Sequence, residues 1–184
     1  MSFLFACYGI ISNIMRLFFA LWPSATTQQQ WLSSTDSLIK PLGGKQVPAN
    51  NLHLTLHFLG EIDGSRTSTL QRMVDRLQPQ DIILRFDKIE CWRKADLACL
   101  RASHEPPALI NLVNQLGKGL QQAGFTVEKR AFKAHVTLAR RLQFCAEQLP
   151  VWPSLEWQAD TLALVRSRLT PEGSIYTPVS EWQL

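Results

Sequence analysis

The chain has 184 residues, 46% hydrophobic and 18% charged, a balance that excludes disordered, collagen-like and coiled-coil architectures. A chain of this length buries roughly 70% of its unfolded surface, so one core can form without disulfides or a structural metal. The 19 Lys and Arg against 15 Asp and Glu give a formal charge of +4, which allows a polyanionic partner without demanding one. Cys7, Cys91, Cys99 and Cys145 show no CxxC or other metal-like spacing and read as reduced thiols of a cytoplasmic protein.

The first uncharged stretch ends at Arg16 and contains Ser2, Gly9, Ser12 and Asn13. It is too short for a transmembrane helix, and it lacks the basic start and small-residue cleavage site of a secretory signal. Residues 1–14 are therefore expected to lie outside the fold, with one domain over 15–184, Met15 as an alternative start, and no membrane association. RLFFAL (16–21) reads as a strand stopped by Trp22-Pro23. Residues 25–40 carry Trp31, Leu32, Leu38 and Ile39 at helical spacing before Pro41 and Gly43-Gly44.

NNLHLTLHFLGEI (50–62) alternates as a strand does, with Leu52, Leu54, Leu56 and Phe58 on one face and His53, Thr55 and His57 on the other. Residues 65–78 form a helix on Leu70, Met73, Val74 and Leu77, and 81–102 read as one hairpin around Arg93–Asp96. A third helix spans 106–124, followed by strand-like FKAHVTLARR (132–141). A Pro-flanked stretch (149–157) leads to two last strands, about 158–169 and 174–183, joined at Pro171-Glu172-Gly173. Hairpins are present and a Gly-rich phosphate loop is not, so the fold class is α+β with antiparallel sheet.

One pattern stands above chance. With four histidines and 11 threonines, a Thr two residues after a His is expected 4 × 11/184, about 0.24 times. It occurs twice, as His53-Leu54-Thr55 and His135-Val136-Thr137, 135 − 53 = 82 residues apart. Residues two apart on a strand project from one face, so two such strands around a cleft would gather two imidazoles and two hydroxyls. Imidazoles titrate near neutrality and can serve as one general base and one general acid in an in-line displacement at phosphorus. Threonine hydroxyls can donate to the non-bridging phosphate oxygens as charge builds there. His53 and His57 at i, i+4 would group zinc ligands on a helix, but this segment alternates as a strand, and carboxylates nearby are too few for a two-metal site.

The paired motifs, in the contexts NNLHLTLHFLGE and RAFKAHVTLARR, resemble the two-histidine phosphoesterase superfamily. Within it the match is to the bacterial RNA 2′,3′-cyclic phosphodiesterase (LigT-like) branch, originally named 2′-5′ RNA ligases, and it runs from about residue 15 to LALVRSRLTPEGSIYTPVSEW. The resemblance implies a bilobal fold of two pseudo-symmetric halves, with antiparallel sheets lining a central cleft and helices outside. It implies His53 as proton donor, His135 as proton acceptor, Thr55 and Thr137 as phosphate holders, and Arg140 as a substrate contact. No metal, cofactor or stable protein partner is implied, and the substrate is RNA or a nucleotide bearing a 2′,3′-cyclic phosphate. The proline common before the second histidine is Ala134 here, and His57 stands where the family usually has another residue, its substrate-binding role open.

Lys129, Arg130, Lys133, Arg140 and Arg141 crowd the second motif with no acidic residue among them. Strand parity puts Arg141 on the face of His135; the motif match favours Arg140, which reaches the cleft if the strand bulges after Leu138. Phe19 and Trp92 are candidates to stack a terminal base. The leading expectation is metal-independent hydrolysis of a terminal 2′,3′-cyclic phosphate to a 2′-phosphomonoester. The alternatives are 2′-5′ ligation at the same site and a phosphate-binding module without turnover.

Overall fold

A computed structural model describes residues 13–128, 130–145, 154–171 and 173–184; the apolar residues 1–12 lie outside the described residues. In β1 (Ile14–Leu21), Leu17, Phe19 and Leu21 bury themselves in the main core, while Phe18 and Ala20 face the other way into a smaller cluster. α1 (Ala25–Ile39) starts where the Ser24 hydroxyl accepts the Thr27 N–H at 3.2 Å, and its buried face carries Trp31 and Ile39. Two polar residues share that face: Gln28 donates to the Leu52 carbonyl at 3.0 Å, and Thr35 to that of Trp31 at 2.8 Å.

The chain continues through β2 (Lys45–Gln46), β3 (Leu54–Asp63), α2 (Thr67–Val74), β4 (Ile82–Phe86), β5 (Lys88–Trp92) and β6 (Leu97–Arg101). α3 (Pro107–Gln122), β7 (His135–Arg140), β8 (Leu155–Ala159), β9 (Thr161–Thr170) and β10 (Gly173–Gln183) complete the described elements. The large antiparallel sheet runs β10-β9-β1-β3-β7-β6-β5, with β2 also on β7. Leucines of all three helices join its core face in one cluster. The α+β class with antiparallel sheet is thus the observed one.

The expected single hairpin over 81–102 is split at Asp87, whose carboxylate accepts the Ser103 N–H at 2.9 Å. β5 and β6 form the hairpin around Arg93–Asp96, while β4 leaves to pair with β8 in a separate two-stranded sheet. β4 buries Ile82, Leu84 and Phe86 in the main core, so its apolar alternation looks the same to a sequence reader in either sheet.

What positions the site is the junction between two ladders. β3 follows β1 over its length and β7 follows β6, yet β3 and β7 pair only at Leu54 and Val136, both fully buried. Because 136 − 54 = 82, the spacing of the two motifs, this pair joins the equivalent middle residues of the motifs. Each strand then bulges at the same motif position. Thr55 pairs with Ala20 and His57 with Phe19, so Leu56 is the extra residue; Thr137 pairs with Cys99 and Ala139 with Ala98, so Leu138 is. A bulge reverses strand parity beyond it and sharpens the twist.

β2 docks against the end of β7 through Gly44, at φ +81°, where a β-carbon would sit 2.6 Å from the carbonyl oxygens of Arg140 and Arg141. Gly60 has a similar φ of +74° but open space around it. Gly60→Ala is therefore expected to cost about 1 kcal/mol for left-handed backbone alone, and Gly44→Ala about 3 kcal/mol or more once the contact is added. Urea denaturation of both variants checks this; equal losses would show that Gly44 does not set the approach to β7.

Candidate active site

On the sheet face opposite the helices, a cavity of about 440 Å³ is lined by His53, Thr55, His135, Thr137 and Arg140 together. Lys45, Asn51, Arg141 and Tyr176 also line it, and no Asp or Glu does among the described residues. Carried one residue either side of Leu54–Val136, the antiparallel register sets His53 opposite Thr137 and Thr55 opposite His135. Diagonal neighbours in such a pair lie about 7–8 Å apart. The histidines occupy one diagonal of a small quadrilateral and the threonines the other, a span that one phosphate can bridge.

Both imidazoles are oriented in the same way. His53 donates its Nδ1–H to the Asn51 carbonyl at 2.7 Å, and His135 donates its own to the Lys133 carbonyl at 2.7 Å, in each case two residues back. This leaves Nε2 of each neutral ring as the acceptor, and at His53 the Thr55 hydroxyl occupies it at 3.0 Å. The supports behind the rings differ. Asn51 is tied to β10, donating from Nδ2 to the Ser174 carbonyl at 2.7 Å and accepting the Tyr176 N–H on Oδ1 at 3.4 Å. His53 is boxed by Trp22 (stacked, 5.5 Å), Phe18 (4.9 Å) and the edge-on Tyr176 (5.0 Å). His135 leans on Trp92 at 4.7 Å, and the backbone of Ala134 before it is held by Glu105, which accepts its N–H at 3.2 Å, and by Arg101, which donates to its carbonyl at 2.5 Å.

The bulges correct the straight alternation read from the sequence. Beyond Leu56, His57 turns to the helix side, where its Nε2 bonds the Val113 carbonyl of α3 at 2.8 Å; the first cavity does not include it. His53 and His57 thus face opposite sides of the sheet and share no ligand set. Phe58, expected in the core, emerges on the open face, 54% exposed and 5.8 Å from Phe18. The bulge at Leu138 acts likewise on Arg140, the position equivalent to Phe58 since 140 − 58 = 82. Arg141 follows at φ +55°, and both arginines line the cavity. Phe19 is fully buried and offers no stacking surface; its neighbour Phe18 is the one that meets His53. Arg130, paired with Glu128 at 3.3 Å, and Lys133 line a neighbouring groove instead, and Lys129 lies outside the described residues. Asn51, Lys45 and Tyr176 escaped the sequence reading because only the strand register brings them to the histidines.

Burial is the main reason that His53 is held down to about 4 from an ordinary 6.5; the Asn51 carbonyl opposes this, and Arg140 and His135 add to it. His135 is also lowered, first by burial and then by Arg101, Arg140 and Arg130, against its bond to the Lys133 carbonyl. Between pH 6.5 and 4 an unfolded His53 takes up a proton that the folded one refuses, so stability falls as pH falls through that window. The loss reaches about 3 kcal/mol below it. Denaturation midpoints of wild type and His53→Asn across pH 7 to 4 should converge as the pH drops; parallel curves would refute a neutral, buried His53.

Residues 26–171 match the family model described as the 2′-5′ RNA ligase superfamily. The RNA 2′,3′-cyclic phosphodiesterase of Escherichia coli (strain K12) is 29% identical over 95% of this chain and 99% of its own length. That of Thermus thermophilus is 30% identical, covering 92% of this chain and 90% of its own. Among solved structures, E. coli LigT complexed with 3′-AMP superposes with a TM-score of 0.83 at 28% identity, over 93% of this chain and 98% of that one. The apo form of the same protein gives 0.84 at 29%, over 94% and 99%. Matched by the family model over most of its length and bearing both HxT motifs on facing strands, the chain belongs to the 2′-5′ RNA ligase superfamily.

Proposed function

We propose that the chain hydrolyses a 2′,3′-cyclic phosphate at the end of RNA, leaving a 2′-phosphomonoester, with His53 as general acid and His135 as general base. The observation that carries this is the convergence of two imidazoles and two threonine hydroxyls on one cavity across the Leu54–Val136 pair. The two similar proteins from E. coli and Thermus thermophilus are named RNA 2′,3′-cyclic phosphodiesterase, which supports the reading. His135 Nε2 takes a proton from water as its oxygen attacks phosphorus. The P–O3′ bond breaks on the far side, and His53 Nε2 returns a proton to O3′. The opposed diagonal corners suit an in-line path, and solvent restores both rings. Thr55 and Thr137 donate to the non-bridging oxygens, with Arg140 and Lys45 balancing the phosphate charge. These side chains supply each proton transfer and phosphate contact in the scheme, which therefore calls for no metal. Among the described residues no helix is long and apolar enough to cross a membrane, and a cytoplasmic RNA substrate fits the thiols read from the sequence.

His53 must gain its proton before it can act as acid. A phosphate anion about 4 Å away contributes about 4 kcal/mol at an effective dielectric of 20, roughly a thousand-fold in proton affinity. When Nε2 is protonated it no longer accepts from Thr55, which frees that hydroxyl to turn to the phosphate. Substrate thus loads the acid and releases a donor together.

Product analysis on a 2′,3′-cyclic phosphate oligonucleotide is the direct test: 2′-phosphate supports hydrolysis, joined RNA supports ligation, and unchanged ligand supports binding alone. Activity should persist in EDTA, and its loss would sink the metal-free mechanism. His53→Ala and His135→Ala should each lower the rate by about 10² to 10⁴. Because both free histidines lie below their ordinary value, the optimum of kcat/KM is expected on the acid side of 6.5. The kcat profile, which reports the loaded complex, should lie at higher pH. Coincident profiles would contradict loading by substrate.

A further inference from the structure

A second, larger groove of about 850 Å³ opens on the other side of the site, and the phosphodiesterase reading leaves it without a role. Thr55, Phe58 and His135 line both spaces, so the groove continues directly from the catalytic cavity. Its walls come from separate parts of the chain. Lys94 lies on the β5–β6 turn, Lys118 on α3, and Arg130 and Lys133 on the segment before β7. All four are exposed, and Glu128, already paired with Arg130, is the one carboxylate among the described lining residues. Phe58 stands at the junction, 54% exposed, and the half-buried Trp92 presents its ring beside His135. His57, turned away from catalysis by the Leu56 bulge, forms part of the wall against α3, where Gly117 leaves room for its ring.

From this continuity we infer that the groove holds the RNA strand on the 5′ side of the cyclic phosphate, which makes the preferred substrate a short single-stranded oligonucleotide and not a mononucleotide. The inference rests on the phosphodiesterase reading of the adjoining cavity. Cations on three walls track a phosphate backbone whatever its sequence, and aromatic faces at the junction stack bases without selecting among them. A cyclic phosphate is the 3′ end of its strand, so the rest of the chain has one direction in which to leave the cavity. If the first cavity takes the terminal nucleotide, a groove about twice its volume has room for roughly two more.

The test compares 2′,3′-cyclic mononucleotide with oligonucleotides of two to five residues bearing the same end, using the full chain. The expected result is a rise in kcat/KM of about tenfold or more up to roughly three nucleotides and a plateau beyond, each added base contributing by stacking. With two further phosphates engaged, the logarithmic salt dependence for the trinucleotide should be steeper than for the mononucleotide by about 1.4. Lys94→Glu with Lys118→Glu, exposed positions outside the catalytic cavity, should cut the ratio of trinucleotide to mononucleotide kcat/KM by about tenfold and flatten that salt dependence. A mononucleotide turned over as well as the trinucleotide would overturn the groove assignment while leaving the phosphodiesterase reading intact. Equal losses on both substrates in the double variant would do the same. Failure to hydrolyse any of them would instead remove the reading on which the inference stands.

Discussion

Two ladders of the sheet are joined through one residue pair, Leu54 with Val136, and the four groups assigned to the proposed reaction are the residues immediately before and after it on each strand, all of which line the cavity. Both partners are fully buried, so the register is fixed by core packing and not by the site itself. A slip of one residue would turn a histidine and a threonine into the core and two apolar residues into the cavity. The bulges at Leu56 and Leu138 reinforce this arrangement. Each leucine is anchored in the core, and β3 and β7 pair only once while each resumes its ladder with β1 or β6 beyond its bulge.

Among the described residues that line the cavity, none is an Asp or a Glu. Arg140 and Arg141 meet no carboxylate along its described lining, and the aromatic box around His53 removes water without supplying a negative group. Each imidazole therefore rests neutral, its Nδ1–H satisfied by a carbonyl that favours the charged form but does not outweigh burial. In the proposed reaction a phosphate would bring the negative charge that the described lining does not supply. That coupling explains how the histidine with the more strongly lowered proton affinity can be the acid. In the proposed reaction it is a reluctant imidazolium that, once loaded by substrate, would give its proton up readily to the leaving oxygen.

The four motif residues that meet in the cavity were legible in the sequence and much of their geometry was not. Two HxT motifs need only residue identity and a strand's period of two, and both are local. The bulges depend on what β1 and β6 offer as partners, so nothing within LHLTLHFLG marks Leu56 as the extra residue or sends His57 and Phe58 to the faces opposite those expected. Arg140 was legible only on the condition that the strand bulged after Leu138. Parity pointed to Arg141 and only the motif match to Arg140, whereas the Leu138 bulge supplies the physical reason for the latter. Asn51 carries no motif at all; its importance lies in a carbonyl that fixes the His53 tautomer and a side chain that reaches β10, more than 120 residues further along the chain. Such contacts exist only after the sheet has formed.

Ala134 shows how this chain meets a constraint by its own means. The resemblance leads one to expect proline before the second histidine, and proline would fix the strand entry through its ring while offering no N–H. Alanine restores the N–H, and Glu105 accepts it while Arg101 donates to the carbonyl of the same residue, so the peptide groups leading into His135 are gripped on both sides. Arg101 also lies 3.3 Å from Glu105 and 3.5 Å from Glu90, and Glu90 in turn accepts the indole N–H of Trp92, the ring against His135. Placing these charges in a half-buried cluster costs desolvation, and removing one member would leave the others uncompensated. The cluster offsets that cost by fixing His135 in backbone and ring at once. Burial is the main reason that this imidazole stays neutral, and the Arg101 cation adds to it, which leaves the ring able to receive a proton in the proposed reaction. A single network therefore positions the residue proposed as the base and, together with burial, keeps its ring neutral.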